Sequence, residues 1–234
     1  MHQTARKEGC RQRVLNRWRL LLVAACVACA GLPARAQAAE SMTAGGLAGR
    51  IDRHYNALHS LSVHFVQRYA GMGMDRKESG VLLLKKPGRM RWTYTDPDGK
   101  LFVMDGHNAY FYSPGETEAQ EVDEKKLDDL RSPLRFLLGH TELEKELQGL
   151  RMVADENGVY TLTGVPKGLE QRVSALKITA APDGTIRSME IDETDGVTNS
   201  FDLSGELANA LAPNSAFVFT PPPGVHVVIG EPPV

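Results

Sequence analysis

Between Ser41 and Leu58 the apolar residues Leu47, Ile51, Tyr55 and Leu58 recur at spacings of four, four and three, which lays them along one stripe of a helix. Thr43 or Ser41 stands where an N-cap would be. After Ser60 the period changes to about two: Leu61, Val63, Phe65 and Tyr69 are separated by polar Ser62, His64 and Gln67, the pattern of a strand. From Glu78 to Tyr112 strand-like runs (Gly80 to Lys86, Arg89 to Thr95, Lys100 to Met104, Ala109 to Tyr112) alternate with Pro87-Gly88, Asp96-Pro97-Asp98-Gly99 and Asp105-Gly106. Loops this short cannot house crossover helices, so the stretch reads as a meander of antiparallel hairpins. Within it Met90, Trp92 and Tyr94 share one face, and Arg89, Arg91 and Thr93 take the other.

The acidic run Glu116 to Asp129 reads as a solvated connection. Ser132 and Pro133 then open a short amphipathic helix, with Leu134, Leu137 and Leu138 on one face and Gly139 as its stop. Strands return at about Arg151 to Ala154, Gly158 to Thr163, Arg172 to Ala180, Gly184 to Asp192 and Thr198 to Leu203. Ala216 to Thr220 is expected to be the last strand, closed by Pro221-Pro222-Pro223-Gly224. About ten antiparallel strands in one sheet must curl or close.

Composition changes the picture mainly at the N-terminus. Six basic residues before Leu20, an apolar run to Leu32 and then Ala34-Arg35-Ala36 form a secretory signal peptide over residues 1–36. The run of about thirteen apolar residues is shorter than the roughly twenty that a membrane-spanning helix needs. Cleavage after Ala36 removes seven of the 27 basic and one of the 29 acidic residues, so residues 37–234, read as one domain, carry a net charge of about −8. Such a domain repels phosphate backbones, which argues against nucleic acid as a partner. Cys10, Cys26 and Cys29 all lie in the leader, so the domain is stabilised by its apolar core rather than by disulfides. A second reading of the leader takes Val23-Ala24-Ala25-Cys26 as a lipidation site with Cys26 carrying an anchor.

A search for chemistry finds no Gly-x-Ser-x-Gly elbow, no cysteine outside the leader, no glycine-rich phosphate loop and no His-Glu-x-x-His pattern among His54, His59, His64, His107, His140 and His226. Asp96-Pro97-Asp98-Gly99 and Asp192-Glu193-Thr194-Asp195-Gly196 lack the spaced ligands of a calcium loop and read as hairpin turns. No catalytic residue, metal or cofactor is therefore expected. What remains is a curved sheet with one apolar face and helices able to cover it: either a binding cavity or an ordinary core.

Two dense stretches tip that balance. Phe65-Val66-Gln67, Gly80, Leu84-Lys85-Lys86-Pro87-Gly88-Arg89-Met90-Arg91-Trp92-Thr93-Tyr94, Pro97, Asp105-Gly106 and Tyr110-Phe111-Tyr112 form the first; Phe217-Val218-Phe219-Thr220-Pro221-Pro222-Pro223-Gly224-Val225 forms the second. With Ser132-Pro133-Leu134-Arg135-Phe136-Leu137-Leu138 between them, they resemble the LolA family of periplasmic lipoprotein carriers. The resemblance implies an α+β fold, an antiparallel unclosed (half) β-barrel with an α-helical lid over an apolar cavity. It also implies a monomeric, non-enzymatic periplasmic carrier. Such a carrier takes acylated lipoproteins released by an inner-membrane ABC transporter and delivers them to an outer-membrane receptor. On that resemblance Met90, Trp92, Tyr94, Phe102 and Tyr110 would meet the acyl chains from the sheet, and Leu134, Leu137 and Leu138 from the lid. Lys86 stands where many members have an arginine that holds the lid through backbone carbonyls; either it makes a weaker latch, or Arg89 or Arg91 substitutes, or the lid is governed differently. Two other functions fit the same fold: an outer-membrane-anchored receptor resembling LolB, lipidated at Cys26, and a sensor domain binding another amphiphile.

Overall fold

The computed structural model describes residues 42–127, 140–156 and 158–230. The leader and the Ser132 to Gly139 segment, with Leu134, Leu137 and Leu138, lie outside the described residues. The described chain opens with helix α1 (Ala44–Asn56). Thr43 caps it, its Oγ1 accepting from the Gly46 N–H at 3.0 Å, and the buried stripe is Leu47, Ala48, Ile51 and Tyr55. The helix ends at Asn56, two residues short of Leu58, because the chain turns there into the sheet.

Six strands follow as a meander: β1 (Ser60–Gly71), β2 (Met74–Lys85), β3 (Arg89–Asp96), β4 (Asp98–Asp105), β5 (Asn108–Tyr112) and β6 (Glu118–Asp123). A short helix α2 (Leu143–Glu146) leads into β7 (Leu147–Ala154), β8 (Tyr160–Pro166), β9 (Val173–Ala180), β10 (Ile186–Glu193) and β11 (Thr198–Ala208). After a 3-10 turn at Asn214–Phe217 comes β12 (His226–Ile229). The twelve strands make one sheet in the order β12-β6-β5-β4-β3-β2-β1-β11-β10-β9-β8-β7, and the end strands β12 and β7 do not pair with each other. All pairings are antiparallel except β12 with β6. The sheet is unclosed, as expected, and wider than the ten strands anticipated.

Two expectations are corrected here. The acidic Glu116 to Asp129 run is not all connection, since Glu118–Asp123 forms β6. Ala119 and Val122 are buried on opposite sides of it, which its exposed carboxylates conceal in the sequence. Ala216 to Thr220 is not the last strand: the 3-10 turn Asn214–Phe217 packs on β3 and β4, and the final strand lies beyond the proline run. Prolines lack the N–H that a sheet ladder needs, so the chain crosses this face unpaired before His226 joins β6.

Register shows that the sheet has one continuous apolar face. Val63, Leu82, Trp92, Phe102 and Phe111 are successive cross-strand partners from β1 to β5, and Leu61, Leu84, Met90, Met104, Ala109 and Val122 run beside them from β1 to β6. On the other side of β1, Gln67 faces Phe201, which faces Met189, Ile178, Leu162 and Met152 in turn. This inner face and the stripe of α1 form the main core.

Candidate functional site

The centre of the inner face is aromatic, and a glycine makes that possible. Phe65, Gly80 and Tyr94 are direct partners across β1, β2 and β3. With no side chain at Gly80, the Phe65 and Tyr94 rings meet over β2 edge to face, their centroids 5.1 Å apart. Phe65 also meets Trp92 at 4.6 Å, and Trp92 meets Phe201 at 5.5 Å, so three strands contribute to one cluster. The Trp92 indole N–H points at the Met90 sulfur, a weak acceptor suited to an apolar wall. Phe102 and Phe111 extend the surface as a pair with centroids 4.7 Å apart, both half-buried.

Of the residues expected on the acyl-binding sheet, Met90, Trp92, Tyr94 and Phe102 are brought together on this face. Tyr110 is not. It is the partner of Val103, whose β3 neighbour is Arg91, and so it lies on the outer face, stacked on Phe219 at 5.2 Å. The sequence around it, Ala109-Tyr110-Phe111-Tyr112, is apolar at both parities, so alternation cannot tell which aromatic points inward. Met90, Trp92 and Tyr94 are at most 9 % exposed: the face is covered rather than open. A cavity of about 400 Å³ sits elsewhere, on β7 to β9 around Gln148, Thr163 and Ser174, and no aromatic side chain of the cluster lines it.

Polar contacts fix α1 against the sheet at its C-terminal end. Lys86, in the β2–β3 turn, donates from Nζ to the Tyr55 backbone carbonyl at 2.8 Å. Burial pushes the Lys86 ammonium below the usual lysine range. Arg89 and Arg91 do not take part. Arg91 donates to Thr93 Oγ1 and to the Ala216 carbonyl on the outer face, and the Arg89 side chain lies near Gly106. From the other side, Glu206 of β11 accepts the Tyr55 hydroxyl at 2.9 Å and lies 2.6 Å from His54 Nε2. The Tyr55 oxygen in turn accepts the Ile186 N–H at 3.0 Å. Burial, then the Glu206 charge, push the Tyr55 phenol well above its usual range, so it stays a donor.

At mid-helix, Arg50 donates to the Pro182 carbonyl at 2.7 Å, and the β9–β10 turn presses on the helix backbone at Gly184, which has φ +97° and leaves no room for a side chain beside Arg50. A second set of bonds joins α1 to the segment leading into α2. Asn56 exchanges hydrogen bonds with both backbone groups of Thr141, at 2.8 and 2.9 Å. Asp52 accepts the Thr141 hydroxyl at 2.8 Å and the Leu143 N–H at 3.2 Å. Burial raises the Asp52 carboxyl, against the lowering effect of these bonds. None of Glu206, Asp52 and Thr141 is marked by the sequence, because each acts through a partner at least 85 positions away.

Among the described residues no group of three or more His, Cys, Asp or Glu is arranged to hold a metal, and no helix is long and apolar enough to cross a membrane. The arrangement is a buried apolar face with α1 tied to the sheet through Lys86, Glu206 and Arg50 and to the Thr141–Leu143 segment through Asn56 and Asp52.

Several known proteins are similar to this chain in sequence. A curated "Outer-membrane lipoprotein carrier protein" of Chromobacterium violaceum is 28 % identical over 213 residues, covering 90 % of this chain and 97 % of that protein. One from Nitrosospira multiformis is 30 % identical over 152 residues, covering 64 % and 72 %. Among solved structures, a LolA superfamily protein from Nitrosomonas europaea aligns with 76 % of this chain and 98 % of its own, at 11 % identity and a TM-score of 0.42. The family model described as "Outer membrane lipoprotein carrier protein LolA" matches residues 56–220, which takes in the end of α1, the aromatic face and both residues that bond to Tyr55, Lys86 and Glu206; the chain belongs to the LolA family.

Proposed function

We propose that this protein is a non-enzymatic periplasmic carrier that binds the acyl chains of lipoproteins on the inner face of its sheet and delivers them from the inner membrane to an outer-membrane receptor. The observation that carries this reading is the combination of a continuous apolar face, centred on Phe65, Trp92 and Phe201, with a cover whose polar attachments are few and reversible. Each buried methylene of an acyl chain contributes about 0.8 kcal/mol, so two or three chains outweigh the handful of hydrogen bonds, worth about 1 kcal/mol each, that keep α1 in place. Cargo entering the face would replace α1's own apolar contacts. The exchange is therefore close to balanced, and a better acceptor can draw the cargo off without chemical energy spent in the carrier.

The relatives named above are carriers by description, and their names support the same role here. The inner-membrane ABC transporter and the outer-membrane receptor are the partners this role requires. The test is direct: purified protein is mixed with a diacylated lipopeptide and Trp92 fluorescence is followed, with Trp92 observed in a form lacking the leader and its Trp18. A saturable change with the lipopeptide and none with the same peptide lacking its acyl chains is the expected result; no binding of any acylated peptide would remove the carrier reading.

A further inference from the structure

Along the inner face the side chains change character at the end remote from the α1 latch. Glu78 lies eight positions before Lys86 on β2, about 26 Å at the ~3.3 Å rise of a strand. There Gln67 is the cross-strand partner of Glu78, and both share the face of Phe65, Gly80 and Tyr94. Glu78 is only 5 % exposed, and both of its oxygens are engaged, by Lys100 at 2.6 Å and Arg76 at 3.2 Å. The Lys100 ammonium also sits 4.5 Å from the centre of the Tyr94 ring. Gln67 donates to Asn199 at 3.0 Å, and the Tyr94 hydroxyl reaches its acceptor, Gln67 Oε1, at 3.5 Å, the outer limit of a hydrogen bond.

The cluster is therefore rich in unspent donors. The Tyr94 O–H has one long, weak partner although the residue is nine-tenths buried, and an ammonium has three N–H groups of which Glu78 occupies one. The acceptors, by contrast, are engaged. Such a place, at the edge of an aromatic surface, suits uncharged acceptor oxygens attached to hydrocarbon. We propose that Tyr94, Lys100 and Gln67 form a subsite for the ester and amide carbonyls at the head of the acylated cargo, with the chains extending from there over Phe65, Trp92 and Phe201. This rests on the carrier reading and adds to it a direction: heads at the β3–β4 end, chain tails toward α1.

The test uses Tyr94→Phe, which removes only the hydroxyl, and the double variant Glu78→Gln/Lys100→Met, which removes the Glu78–Lys100 ion pair and leaves only the exposed Arg76 without its carboxylate. Three probes are titrated: a diacylglyceryl-cysteine lipopeptide, dioleoyl phosphatidylglycerol, and hexadecylpyrene, which has no carbonyl. Each variant is expected to bind the lipopeptide roughly five- to tenfold more weakly, the loss of about one hydrogen bond, with hexadecylpyrene unchanged. A parallel loss on phosphatidylglycerol places the contact on the glyceryl esters; a loss confined to the lipopeptide places it on the amide. Equal affinity of variants and parent for the lipopeptide, or an equal loss on all three probes, overturns the subsite while the parent's own binding keeps the carrier reading intact. A parent that binds no probe overturns both.

Discussion

Replacing Glu206 with alanine should release the C-terminal end of α1 without unfolding the sheet. The carboxylate holds two groups of the last helical turn, His54 and the Tyr55 hydroxyl, at 2.6 and 2.9 Å, and its side chain is 15 % exposed. A hydrogen bond to a partly buried charged group is worth about 1.5–3 kcal/mol, and after truncation the Tyr55 proton has lost its acceptor at a position 2 % exposed. Taking about 2 kcal/mol for the change in local opening, the population with α1 detached rises roughly 30-fold. Native-state hydrogen exchange reads this directly, because α1 amides that open locally exchange faster by that factor while those of β1 and β2 keep the protection of the global fold. A Tyr55→Phe variant, which loses the bonds to Glu206 and to the Ile186 N–H but keeps the His54 contact, should speed α1 exchange in the same direction. If α1 and the central strands lose protection by the same factor in Glu206→Ala, the helix is released only by global unfolding, and the argument for a separately moving cover fails.

Other consequences follow from the same contacts. Lys86→Ala removes the bond to the Tyr55 carbonyl and should speed lipopeptide release several-fold, whereas Arg91→Ala, acting on the outer face, should leave the off-rate alone; equal effects would deny Lys86 a latching role. Gly80→Ala would drive a methyl group against the Thr93 carbonyl oxygen and to within 2.8 Å of Tyr94 Cα and 2.9 Å of Phe65, an overpacking that costs about 1–3 kcal/mol and lowers Tm by roughly 5–10 °C; a melting curve superimposable on the parent's would contradict it. Asp52 is raised above 3.8 by burial, so the folded state binds its proton more tightly than the unfolded chain; stability from this group declines as pH climbs from 3.8 through the folded value, and Asp52→Asn should flatten that part of a Tm–pH curve. An unaltered slope would show that the carboxyl is solvated in the fold.

How far the sequence reveals this arrangement depends on whether a residue's partner is local. The stripe Leu47, Ile51 and Tyr55 and its Thr43 cap are readable because helix contacts span a single turn. The inward set Met90, Trp92 and Tyr94 is readable because arginine and threonine mark the opposite face. Tyr110 is misread where that contrast disappears, and β6 is missed because two buried residues are outnumbered by carboxylates. The Phe217 and Phe219 pattern has the look of a strand, yet Phe217 is buried in a 3-10 turn, Phe219 stacks on Tyr110 on the outer face, and the real final strand is four residues whose partner, β6, lies about a hundred positions earlier. Glu78, Lys100 and Glu206 resemble any other surface charges until register and tertiary pairing bring their partners to them.

The strand order also has a kinetic meaning. Strands β1 to β6 and β7 to β11 are two runs of neighbours, each able to zip up through short hairpins as it emerges; only β1 with β11 and β12 with β6 join segments far apart in the chain. Closing loops of this length precedes any gain from the pairing, which makes those two seams the slow events of folding. For a chain that emerges from its N-terminus, the inner face exists only as bare half-sheets until residues 198–208 arrive. The apolar inner face is thus the last surface the molecule can hide, and until β11 docks on β1 its two halves stand apart and open to whatever apolar surface is nearest.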